Sequence, residues 1–266
     1  PPWVAQQRWY ADKGRVPVLR LIGGLRFQDP AGEVDIDVRL LLDESGQTPP
    51  TYQVPLTSRR ARLADADHAL IATVEHASLG TRYIYDAPHD PVFADALLRL
   101  MLDEATTPSA WSPGSSVARG HRVVTADPGQ LLASHVLTGE QSNTSIILDL
   151  VDALGAPTNS LICKLFRVLH HGENPDVVVQ SALAAAGSRQ VPDQVGNVGG
   201  EWPDASAPDG MARGHLAFAQ EFIPGVDDAW RAALAAVASG ADFSERARRL
   251  GQATAQVHAT LAQTMS

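Results

Sequence analysis

Lys164 stands in the run Leu161-Ile162-Cys163-Lys164-Leu165-Phe166, where strand alternation places it on one face with Ile162 and Phe166. An ammonium flanked by apolar neighbours is costly to bury alone and wants an anionic partner. The polar turn Gly139-Glu140-Gln141-Ser142-Asn143-Thr144-Ser145 precedes it between two apolar runs, and a helix opening at Asn174-Pro175 follows it. Hydroxyls, side-chain amides and backbone N–H groups in a tight turn can fold over phosphates while a strand-borne ammonium pairs with them. The ordered trio therefore points to the gripping of a polyphosphate, with Gln141, Ser142, Asn143, Thr144 and Ser145 as donors and Lys164 as counter-charge.

Each part also has a plainer reading. The turn is not a Walker A loop, because no Gly-Lys-Ser/Thr follows, and alone it is a polar hairpin turn. Lys164 alone is an edge-strand lysine that snorkels to water. A carboxylate that orients the lysine is expected near the start of the next helix. Asp176 and Glu173 are near enough in sequence, although an acid in a first turn is also favoured by the helix dipole. Gln220-Glu221-Phe222-Ile223-Pro224-Gly225 follows an apolar strand and precedes a helix, so its backbone could hydrogen-bond an adenine, as could any similar connection. His170-His171 lacks companions at metal-site spacing and reads as surface, while His258, beside Val257 and Leu261, reads as a core or interface histidine.

The elements that must hold these residues fall into three groups. Val18 to Phe27, Val34 to Leu42, Tyr52 to Leu56, Ala69 to Val74 and Arg82 to Tyr85 read as strands of a curved antiparallel sheet. Asp90-Pro91 supplies an N-cap and an N1 proline for a helix whose Phe93, Leu97, Leu100 and Met101 can cover one face of that sheet. Ala105 to Ser116 has the composition of a linker. Strands at Leu131 to Leu137, Ser145 to Leu150 and Leu161 to Val168 lead into a helix Asp176 to Ala186, with Asn174 as N-cap, Gly187 after its end, and Val178, Ala182 and Leu183 facing the sheet. Gly196 to Gly214 gives no regular structure, and Leu216 to Phe222 is a strand. Helices at Asp228 to Ala238 and Ser244 to Gln263 close the sequence, the last with a stripe of Leu250, Val257 and Leu261.

Composition narrows the setting. The 266 residues are 44% hydrophobic and 19% charged, enough for two or three compact units. A net charge of −9 argues against a nucleic-acid partner. Pro1-Pro2-Trp3-Val4 is unlike a secretory signal, and no run reaches the ~18 apolar residues of a membrane span, so a cytoplasmic location without membrane contact is expected. The single cysteine, Cys163, excludes an internal disulfide and reads as a small buried hydrophobe.

With these residues in place, the chain resembles the actinobacterial maltokinases and their maltokinase-like relatives, which are similar in fold to aminoglycoside phosphotransferases and eukaryotic-type kinases. Gln7-Arg8-Trp9-Tyr10-Ala11 is similar to the opening signature, Glu140 to Ser145 to the phosphate loop, and Lys164-Leu165-Phe166-Arg167 with Asn174-Pro175-Asp176 to the lysine strand and its helix. Leu250-Gly251 and Val257 to Ala262 resemble the early large-lobe helix. The resemblance implies an α+β fold: an antiparallel-sheet cap subdomain at 1–104, a kinase-like small lobe with one main helix at 117–224, and the first helices of a helical large lobe at 225–266.

It further implies ATP and Mg2+, with Gln141 to Ser145, Lys164, Asp176, Gln220, Glu221 and Phe222 binding the nucleotide. The implied reaction is phosphoryl transfer to maltose, giving maltose 1-phosphate, with glucosamine as the alternative acceptor. The implied partners are the sugar, a C-terminal lobe of the same protein and a trehalose or glycogen pathway enzyme. Where the family usually carries glutamate this sequence has Val178. The family's His-Gly-Asp loop and metal-binding aspartate would lie beyond Ser266, so no catalytic residue, no metal ligand and no turnover are expected from these residues alone. A reading of a different class takes the sheet-rich first third as a non-catalytic interaction module.

Overall fold

In the computed structural model, which describes residues 2–107, 109–110, 116–137, 143–225 and 228–265, a short helix α1 (Pro2–Gln6) precedes five antiparallel strands. These are β1 (Leu19–Phe27), β2 (Asp35–Asp43), β3 (Thr51–Arg59), β4 (Leu70–His76) and β5 (Gly80–Asp86), in the spatial order β1-β2-β3-β5-β4. Helix α2 (Pro91–Leu102) starts as its sequence dictates: Pro91 takes the first position and the Asp90 carboxylate accepts the Val92 N–H at 3.0 Å.

The second sheet contains β6 (Thr106–Thr107), β7 (Val117–Arg122), β8 (Gln130–Val136), β9 (Asn143–Val151) and β10 (Leu161–Phe166). After β11 (Val168–Leu169) and helix α3 (Pro175–Ala185), strands β12 (Gln194–Pro203) and β13 (Met211–Glu221) complete it in the order β6-β7-β12-β13-β10-β9-β8. Helices α4 (Ala229–Ser239) and α5 (Ser244–Thr264) follow. The architecture is thus α+β with antiparallel sheets, as expected.

Several expectations require correction. Helix α2 packs chiefly across β7, β12 and β8 of the second sheet and touches β1 as well, so it fills the space between two sheets instead of lidding the first. Its Phe93, Ala94, Leu97, Leu98, Leu100 and Met101 are all buried, a wider apolar surface than one sheet needs. The core around it joins Ile36, Val38 and Leu40 to Leu148, Leu165 and Phe218. The supposed linker contains β6 and pairs Ser109 with Leu25. The unstructured reading of Gly196 to Gly214 gives way to β12 and its hairpin with β13. Its glycines serve close approach: a Cβ on Gly196 would stand 2.5 Å from the His121 carbonyl, and one on Gly200 2.7 Å from Leu216. In α3 the inward residues are Val177 and Leu183, with Val178 and Ala182 only half-buried. Helix α5 lies against α3 with no residue fully buried, and His258 is exposed instead of packed.

The two sheets are stitched together by the strand that carries Lys164. After β10 and the single residue Arg167, β11 crosses to the first sheet and pairs with β3, Val168 opposite Tyr52 and Leu169 opposite Thr51. Gln53 of β3 reaches back, its amide donating to the carbonyls of Phe166 at 2.9 Å and Leu216 at 3.0 Å. Among the described residues no helix is long and apolar enough to cross a membrane.

Candidate functional site

Alternation along β10 sends Leu161, Cys163 and Leu165 into the core and leaves Ile162 and Lys164 half-buried on the opposite face. Burial pushes the Cys163 thiol up to about 12, which fits a packing role. In register, Lys164 sits between Ser145 of β9 and Phe218 of β13. Its Nζ lies 3.9 Å from Asp176 Oδ2, in the first turn of α3. That turn is fixed locally: Asn174 Oδ1 accepts the Asp176 N–H at 2.9 Å, and Pro175 pre-sets the first helical residue. The lysine and the nearer of its two candidate carboxylates are thereby brought together. Glu173, just before the helix, is exposed.

The polar turn divides. Gln141 and Ser142 lie outside the described residues. Asn143, Thr144 and Ser145 open strand β9 in place of a free loop. Thr144 and Ser145 are buried there, and the Thr144 hydroxyl accepts from Arg167 Nε at 2.8 Å. At the other end of the sheet, Gln220 is buried in β13 with its Oε1 unpartnered among the described residues. Its neighbours' backbone donors are already engaged: the Glu221 N–H donates to Asp193 O at 2.8 Å and the Phe222 N–H to Ser160 O at 2.9 Å. The Glu221 carboxylate accepts from Asn159 at 2.9 Å. His170 and His171 are exposed, and His171 accepts the Arg213 N–H at 3.2 Å. Among the described residues no three His, Cys, Asp or Glu side chains converge on a point where a metal could sit.

Two residues that the sequence reading passed over hold this arrangement. Arg167 is fully buried; its Nη2 meets both oxygens of Asp86, at 2.9 and 2.8 Å, its Nε reaches Thr144, and the guanidinium lies 5.0 Å from the Trp9 ring centroid. A cation inside the apolar run Leu165-Phe166-Arg167-Val168-Leu169 was the available signal. The second is His215 on β13, whose Nδ1 accepts the Asn174 N–H at 3.1 Å. Burial lowers its pKa from 6.5 against the opposing pull of Glu173.

Comparison with known proteins finds a family match over the first third of the chain and a likeness of fold. Residues 3–90 match the family described as the maltokinase N-terminal cap domain. Two crystal forms of a glucosamine kinase resemble the chain over 99% of its length. One is 19% identical with a TM-score of 0.52, and the other is 17% identical with a TM-score of 0.48. The first of these likenesses is one of fold. The chain spans about half of those proteins, 52% and 53% of their lengths.

Proposed function

We propose that the chain is the cap and nucleotide-binding part of an ATP-dependent sugar kinase. The observation that carries this is the half-buried Lys164 ammonium on β10 of the second sheet, facing Asp176 at the capped start of α3. A strand-borne lysine steadied by a helical carboxylate is the arrangement that pairs with nucleotide phosphates. Here Lys164 neutralises phosphate charge and Asp176 keeps the ammonium aimed, the polar residues that lead into β9 supply further donors, and Arg167 fixes the start of that strand through Thr144. Because the N–H groups of Glu221 and Phe222 are engaged, adenine recognition falls to other backbone groups of residues 220–225. The units proposed are the cap at 1–104, the nucleotide lobe at 117–224, and the opening of a large lobe at 225–266.

Positioning and charge neutralisation dominate phosphoryl transfer, so the rest of the protein would supply the base, and Mg2+ would be held by the phosphates and ligands there. Maltose is the proposed acceptor, supported by the cap family at residues 3–90; glucosamine is the second reading, supported by the name of the structural neighbours. A calorimetric titration of the 266-residue chain with ATP tests the first half, with saturable binding expected and the absence of binding at millimolar ATP overturning it. Phosphorylation of maltose against glucosamine by the longer protein that includes the large lobe decides the acceptor.

A further inference from the structure

We infer that His215 is a positioning residue, a neutral acceptor on strand β13 that clamps the start of helix α3 and so sets where Asp176 meets Lys164. A helix start leaves backbone N–H groups unpaired, and the N-cap residue's own N–H is often taken by a Glu or Gln three positions on. In α3 that position is Val177, which is buried and has nothing to offer. His215 takes over the task from the sheet, Nδ1 accepting the Asn174 N–H at 3.1 Å while Asn174 Oδ1 accepts from Asp176. The helix is tied again further along, where Ser181 and Gln194 exchange hydrogen bonds at 2.9 and 3.3 Å. At the end that bears Asp176 the chain before the helix is held to β13 by the Gly172 N–H, which donates to Arg213 O at 2.7 Å, and the histidine's bond carries that hold to the N-cap itself.

The clamp needs an unprotonated Nδ1, and the surroundings keep it so. Two grooves, of about 360 and 600 Å3, meet at His215. Facing it from β7 are Arg119 and His121, from β12 Glu201, from β13 Arg213, and from the turn before α3 His171 and Glu173. Arg119 and Arg213 both pair with Glu201, which leaves Glu173 as the acid that favours protonation, and burial outweighs it. A histidine bonded as a neutral acceptor, with its pKa lowered by folding, contributes fully above pH 6.5, and its contribution is lost as pH falls through the lowered value.

The link to nucleotide affinity rests on the function proposed above; the clamp itself does not. The test uses the 266-residue chain and the variants His215→Asn, which keeps a non-titrating acceptor near the Nδ1 position, and His215→Phe, which keeps bulk without one. Hydrogen-exchange protection of the Asn174 amide should be retained in His215→Asn and lost in His215→Phe. The ATP dissociation constant of the natural chain divided by that of His215→Asn, a ratio in which the titration of ATP itself cancels, should be near one at pH 8. At a pH below the lowered value it should rise about three- to tenfold, the worth of one hydrogen bond. Unchanged protection in His215→Phe, or a ratio that stays flat down to a pH at which NMR shows the His215 ring protonated, overturns the inference. If no form binds ATP at either pH, the nucleotide reading fails, and protection at Asn174 alone decides the clamp.

Discussion

Lys164 and Arg167 stand three residues apart on one run of chain, and the fold treats them in opposite ways. Arg167 is sealed from water with Asp86, Thr144 and the Trp9 ring around it; the Lys164 side chain is 22% exposed, and its partner Asp176, 3.9 Å away, is 53% exposed. A desolvated, doubly bonded guanidinium cannot change partners without leaving Asp86 as an unpaired buried charge. A loosely held ammonium can exchange a carboxylate for a phosphate at little cost, because its existing pair is worth at most about 1 kcal/mol. The planar fork suits the permanent contact and the point charge suits the exchangeable one. One cation is thus fixed in the join between the two sheets, and the other stays exchangeable.

The largest effect should come from breaking the sealed pair. Arg167→Leu is expected to cost about 3–5 kcal/mol in urea unfolding, because Asp86 then stays buried without its partner. Replacing both, with Asp86→Leu added, should recover much of that loss. A single-variant loss below about 1 kcal/mol would show that the pair is not what joins the two sheets. The exposed cation should behave in reverse: Lys164→Ala should barely move the unfolding midpoint yet weaken ATP binding by about 1–3 kcal/mol, the range of a charge-assisted contact. Lys13, whose ammonium is satisfied locally by the Gln7 carbonyl, is the control, and Lys13→Ala should leave binding unchanged. Equal dissociation constants for the two alanine variants would reject Lys164 as the phosphate ligand.

The same contrast explains what could be read from the sequence. Both main helix starts, Asp90-Pro91 and Asn174-Pro175, were legible because an N-cap and an N1 proline act within a few residues. The Lys164 strand was legible because alternation is local. Arg167 was not, since Asp86 lies 81 residues earlier and only the fold brings them together. Strand β12 was hidden for a related reason. Its glycines look like chain breakers, yet Gly196 and Gly200 answer to His121 and Leu216 on neighbouring strands. The His215 clamp was hidden because a helix cap supplied from another element leaves no spacing to recognise.

Acid offers a third measure of how tightly a charge is held. At the end of β2 in the first sheet, Asp43 accepts from the Tyr10 hydroxyl at 2.7 Å and from the Val18 and Ser45 N–H groups at 3.1 Å. Burial alone would raise its pKa, but these bonds outweigh it and bring the carboxylate below 3.8, while burial and the Asp43 contact push Tyr10 up to about 12. A carboxylate with a lowered folded pKa contributes fully above pH 3.8 and loses its contribution as pH falls through the lower value. Asp43→Asn should therefore cost about 1–2 kcal/mol at pH 7 and flatten the acid limb below pH 4 in urea midpoints. Parallel curves for the natural chain and the variant would remove Asp43 from the set of locked charges.

The smallest expected effect falls on the exchangeable pair. Asp176→Asn removes an acid that is half in water and 3.9 Å from Lys164, so ATP affinity should fall by about 0.2–1 kcal/mol, well short of Lys164→Ala. Val178, two residues on, lines the groove with His121, Ser181 and Asn197. A carboxylate placed there by Val178→Glu would face that groove and its histidine. The double variant Asp176→Asn with Val178→Glu should consequently bind ATP no better than Asp176→Asn alone. Restored affinity in the double variant would mean that a residue-178 carboxylate reaches the ammonium, and would make Asp176 a first-turn acid of α3 with no part in aiming Lys164.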